Sequence, residues 1–258
     1  MIDAHIQLRA DDDFLSSLNS TLEFSGASGV IALQTEQGKA ARQKCINTAK
    51  ASDDLICGVV AQLPWTADSK MRVLLETDER EKTIIGYLAD IRETDTRTWL
   101  DDEDITYGLQ LITEKAKPLD LLTTTEQASS LLPLFDAHPG LHMVLDHCSG
   151  SAVTTNNEWQ RFIREIGRRP HVYYRLSGLT AGLSGDSAYN LTESVKSCFD
   201  TALEAFGAER VLFGSGWPDL QTTYPAWLNT VDSLVNELST DEKDAIYGAN
   251  ALAFYGLS

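Results

Sequence analysis

The 258-residue chain is poor in cysteine: Cys45, Cys57, Cys148 and Cys198 stand far apart, with no C-x-x-C pair and no histidine nearby at zinc-site spacing. That excludes a disulfide scaffold or a zinc ribbon, and the thiols are expected to be reduced and mostly buried. Basic residues are also scarce, 21 against 38 acidic ones for a formal charge of −17, so nucleic acid and anionic membrane surfaces are repelled at long range. No apolar run approaches the roughly 20 residues of a membrane span. Asp3 and His5 fall where a signal peptide would need a basic and then an apolar stretch, so a cytoplasmic location is expected. Low-complexity segments, Pro/Gly/Ser linkers and fixed-period repeats are absent as well. With 43% hydrophobic residues the chain can build a large core and is read as one domain over residues 1–258. A homo-oligomer stays open.

What is present is alternation. Strand-like stretches occur at IDAHI (2–6), GVIALQT (29–35), LICGVVAQ (55–62), TIIGYLADI (83–91), PLDLLT (118–123), LHMVLDHC (141–148), HVYYRLSG (171–178) and RVLFGS (210–215). Helical spacing fills the intervals, as in Phe14, Leu15, Leu18 and Leu22, or Phe199, Leu203 and Phe206. Eight strand-then-helix units predict a closed parallel (β/α)8 TIM barrel. An open doubly wound sheet would usually carry a glycine-rich phosphate turn after its first strand, and MIDAHIQLRAD has no glycine.

In such a barrel chemistry gathers where strands end. The residues to weigh are His5 and Gln7, Gln34, Gln62, Asp90 and Arg92, Asp120, His147, Arg175 and the turn from Ser215 to Asp219. Strand alternation puts Asp3, His5 and Gln7 on one face, pointing into the mouth. Asp146 and His147 are adjacent on a strand, so one enters the barrel and the other packs behind it. Tyr173, Arg175 and Ser177 share a face. A buried arginine needs an anionic ligand, or a salt bridge to Asp120 or Asp146, and both readings satisfy Arg175 equally.

The order and wording of IDAHIQ, GVVAQ, LDHCS, YRLSGL, ERVLFGSGWP and the closing YGANALAFYGL resemble the amidohydrolase-related barrel family that contains sugar lactonases and 2-pyrone-4,6-dicarboxylate lactonase. The resemblance runs nearly end to end. It implies a (β/α)8 barrel, hydrolase ancestry and a site built from H-x-H on the first strand, a histidine after the sixth-strand aspartate, and an aspartate in G-S-D-W-P. His5 and His147 fall on family histidines. Gln7 stands where the second histidine is usual, and Gly216 where the aspartate is usual.

Two histidines and a neutral amide make a weak metal site, so no tightly bound cofactor is expected; a weakly held divalent ion such as zinc on His5 and His147 is the most the pattern supports. The expected activity is hydrolysis of an ester or lactone bond in a small polar or carboxylated molecule. His147 serves as base, His5 and Gln7 position the carbonyl oxygen, and Arg175, Arg92, Trp217 and Asp219 bind substrate. The rival expectation is a barrel that has lost turnover and binds a sugar acid or a partner protein, which Gln7 and Gly216 favour.

Overall fold

The computed structural model describes residues 1–9, 13–65, 69–146, 157–181, 183 and 190–257. Eight strands lie parallel in sequential order: β1 (Ile2–Leu8), β2 (Gly29–Gln34), β3 (Ile56–Gln62), β4 (Ile84–Asp90), β5 (Leu119–Leu122), β6 (Met143–Asp146), β7 (Val172–Leu176) and β8 (Val211–Phe213). The chain leaving β8 then runs beside β1. The Gly216 amide donates to the His5 carbonyl at 2.8 Å, and the Gln7 amide donates to the Trp217 carbonyl at 2.7 Å. These bonds close the sheet on itself, giving the expected (β/α)8 barrel with each strand close to its expected place.

Strands such as GVIALQ are buried throughout and apolar except for the terminal Gln34, because both faces are covered, one by the barrel interior and one by helices. The helices carry a single apolar stripe. Helix Asn157–Gly167 buries Trp159, Phe162, Ile163 and Ile166, the spacing of one helical face, against the sheet. No helix among the described residues is long and apolar enough to cross a membrane. Cys45 and Cys198 are buried thiols and Cys57 is a half-buried one; Cys148 lies outside the described residues.

Inside the barrel, Ile2, Ala4, Leu33, Val60, Val144 and Leu212 form an apolar plug. Helix Asn250–Tyr255 seals the end where strands begin: Asn250 Nδ2 donates to the carbonyls of Ala208 and Val211 at 2.7 and 2.8 Å, and Phe254 packs on Tyr173 with ring centroids 4.8 Å apart.

One expectation is corrected. In β1, Asp3 lies opposite Val30 but Ile6 opposite Ala32, so β1 carries one extra residue between them. Ile2 and Ala4 face the interior, whereas Ile6 and Leu8 face the helices. The bulge reverses the alternation, so His5 and Gln7 turn into the barrel while Asp3 does not. Asp3 Oδ1 instead accepts hydrogen bonds from the His5 and Ser215 amides, both at 3.0 Å, stitching the bulge to the chain after β8. Burial pushes the Asp3 carboxyl above its ordinary range against the pull of those bonds.

Candidate active site

β1, β6 and β7 bring His5, Asp146, Arg175 and Ser177 together, each essentially without solvent exposure. His5 Nδ1 lies 3.1 Å from Ser177 Oγ and 3.7 Å from Asp146 Oδ1. Both neighbours approach the same ring nitrogen. A serine nucleophile relayed through histidine to aspartate needs opposite ring nitrogens, so this trio is not that device. Gly214 makes the close approach feasible, because a Cβ there would come within 2.8 Å of the His5 Cβ and 3.2 Å of the Arg175 Cδ.

Arg175 is held deep in the barrel. Its Nη1 lies 2.7 Å from Asp146 Oδ1 and 2.8 Å from Asp120 Oδ2, and its Nη2 donates to the Tyr255 hydroxyl. The Tyr255 hydroxyl in turn reaches both Asp120 oxygens at 2.8 and 2.7 Å. The two salt-bridge partners that the sequence offered as alternatives are both engaged. Burial pushes the Asp120 carboxyl up to about 6; Arg175 opposes that rise and the charge of Asp146 adds to it. Burial also works against the Arg175 charge, but the two carboxylates outweigh it and the guanidinium stays ionised.

Nearer the surface, Arg92 grips Asp90 at the end of β4 through two parallel bonds, Nε to Oδ1 at 2.8 Å and Nη2 to Oδ2 at 2.6 Å. Those bonds, and more weakly the charge of Asp146, hold the Arg92 guanidinium charged. Gln7 is half-buried on the inner face of β1. Asp219 does not turn inward: it pairs with Arg9, with both side chains about half exposed. Trp217 packs on Phe14 of the helical layer, ring centroids 5.4 Å apart. Gly216, where the family resemblance implied an aspartate, has φ +74°, a left-handed conformation that glycine adopts freely. His147 lies outside the described residues.

The fit to a metal is poor among the described residues. No three His, Cys, Asp or Glu side chains meet in a way that could hold an ion. His5 Nδ1 already faces Ser177, and Asp146 is drawn to Arg175.

The Amidohydrolase family profile matches residues 8–257. The chain belongs to the Amidohydrolase family. Among family relatives, an L-fucono-1,5-lactonase of Burkholderia multivorans is 29% identical over 177 residues, covering 64% of this chain and 60% of that protein, so the match spans only about three-fifths of the relative's length. An L-rhamnono-gamma-lactonase of Scheffersomyces stipitis is 25% identical over 51% of this chain and 45% of its own. A crystal structure of a Burkholderia multivorans amidohydrolase with bound zinc shares the fold at TM-score 0.88 and 23% identity, over 100% of this chain and 99% of that one.

Within this member of the family, Tyr255 is the site-network residue that sequence reasoning missed. It was legible only as part of the closing phrase YGANALAFYGL. Nothing local says that a tyrosine 80 residues beyond Arg175 reaches back to it.

Proposed function

We propose that this chain hydrolyses a lactone of a small, hydroxyl-rich molecule at the mouth where its strands end. What supports the reading is the approach of His5 to Ser177 and Asp146, the charge of Asp146 acting on Arg92, and Gln7 on the same strand as His5, in a barrel whose family relatives include sugar lactonases. If the Ser177 hydroxyl donates to His5 Nδ1, the ring proton sits on Nε2, from which it can donate to a carbonyl oxygen. Gln7 supplies a second amide donor beside it. His147, which follows Asp146 in the chain, is the base that takes a proton from water. Arg92 is assigned to the substrate side of the site, while Trp217 packs on Phe14 and Asp219 pairs with Arg9 outside the inner cluster. Arg175 holds Asp146 in place beneath it.

The test is a panel of sugar lactones and simple esters, assayed with and without chelator. His147→Asn is expected to cut kcat by about 10²- to 10⁴-fold while keeping the fold and ligand affinity. Unchanged kcat would remove His147 from the mechanism. Purified protein is expected to hold well under one equivalent of zinc, and stoichiometric zinc after dialysis would overturn the metal-free reading.

A second reading, a barrel that binds but no longer turns over, is favoured by Gln7 and Gly216, which stand where the family resemblance implies a histidine and an aspartate. It wins if the wild-type chain binds sugar lactones and hydrolyses none while Gln7→His with Gly216→Asp restores activity.

A further inference from the structure

We infer that Asp90 determines specificity: by holding Arg92 it sets the mouth to admit an uncharged lactone and to turn away a carboxylated one. The inference rests on the hydrolase reading and names its substrate class.

A substrate carboxylate needs a cation with bonding capacity to spare. The arginines near the strand ends are already engaged. Arg175 is enclosed by Asp120, Asp146 and Tyr255 with no solvent exposure. Arg92 has committed two donors on one edge of its guanidinium to Asp90, in the paired geometry with which it would otherwise clasp a ligand carboxylate. Arg9 is paired with Asp219.

The sequence closes off other sources. The eight connections from strand to following helix contain Arg9 and Arg92 as their only lysines or arginines, against nine aspartates and glutamates. Lys39, Lys70 and Arg97, in the first turns of the following helices, are exposed side chains. Among the described residues these connections carry Asp13, Glu36, Glu93, Asp95 and Asp219 against Arg9 and Arg92, and with a formal charge of −17 on the whole chain an approaching anion meets net charge of its own sign.

That polarity suits ring opening. Water adds to the acyl carbon, the ring C–O bond breaks, the ring oxygen leaves as a hydroxyl carrying a proton, and the new carboxyl ionises. A neutral substrate enters and an anion leaves. The same field that discriminates against a carboxylated substrate favours departure of the product.

The experiment compares kcat/KM for a neutral sugar lactone and a matched lactone bearing a second, free carboxylate, at low and high salt. The wild-type chain is expected to favour the neutral compound by about ten-fold or more, with the preference shrinking as salt rises. Asp90→Asn, which releases Arg92, is expected to shift the ratio toward the carboxylated compound by about ten-fold, one charge contact's worth. Adding Arg92→Gln to that variant should cancel the shift, which a merely structural role for Asp90 would not predict. Wild-type preference for the carboxylated lactone, or an unmoved ratio in Asp90→Asn, overturns the inference. If no lactone turns over, the hydrolase reading falls on its own, and calorimetry with a neutral sugar lactam against a sugar-acid carboxylate decides the charge question: tighter wild-type binding of the carboxylate overturns it.

Discussion

The barrel contains the same three side-chain types twice, arginine, aspartate and tyrosine, in two buried clusters on opposite sides of the sheet. Outside the barrel, Arg42 pairs with Asp78, caps the Gln62 carbonyl at 2.7 Å, and shares Asp78 with the Tyr87 hydroxyl at 3.1 Å. Inside, Arg175 faces Asp120 and Asp146 together with Tyr255. The outer cluster has one carboxylate for one guanidinium and closes on itself, tying helix Lys39–Lys50 to helix Ser69–Asp78 and β4. The inner cluster has one carboxylate in excess, and that extra carboxylate, Asp146, is the one beside His5. Charge balance thus separates a structural clamp from a group that can act on a neighbour.

The largest effect expected from breaking this comparison is on stability. Arg175→Met strands two adjacent carboxylates without a cation and should cost about 3–5 kcal/mol by urea denaturation. Arg42→Met strands one, which can take up a proton and keep Tyr87 as a donor, and should cost about 2–3 kcal/mol. Equal costs, or a larger one at Arg42, would mean that the excess carboxylate does not matter to the fold.

A second difference appears in the pH dependence. Folding raises the Asp120 pKa from the ordinary 3.8 to about 6. Between those values the folded chain binds more protons at this residue than the unfolded chain does. The contribution of Asp120 to stability is therefore full below about pH 4 and is lost as pH rises through about 6. Asp120→Asn removes the titration, so the stability of the wild type relative to this variant should fall between pH 4 and pH 7. A rising difference would place the extra proton elsewhere in the cluster. Both clusters in turn contrast with the exposed pair Arg9–Asp219, where Arg9→Ala should change stability by no more than about 0.5 kcal/mol.

Legibility followed the range of the forces involved. The eight strands and the amphipathic helices were readable because alternation and 3.6-residue spacing are local consequences of which faces are covered. His5 and Gln7 were correctly placed on the inner face, but Asp3 was not, because the bulge that reverses β1 is held by the Ser215 amide, 212 residues away. Arg175 was readable as a buried cation in need of an anion. Asp219 meets Arg9 across 210 residues, a pairing no local spacing announces.

The sequence by itself determined the order of elements, the apolar layers on both faces of the sheet, and the acidic character of the strand-to-helix connections, since each depends on residue type and short-range periodicity. Only the tertiary structure decided how the charges cancel. Closure of β8 onto β1 turned Asp3 out of the barrel, the terminal helix delivered Tyr255 to Asp120, and the meeting of β5, β6 and β7 gave one guanidinium two carboxylates to hold. A charge in a barrel interior is balanced by whatever the fold brings within a few ångströms, and such distances are set by packing across the whole chain.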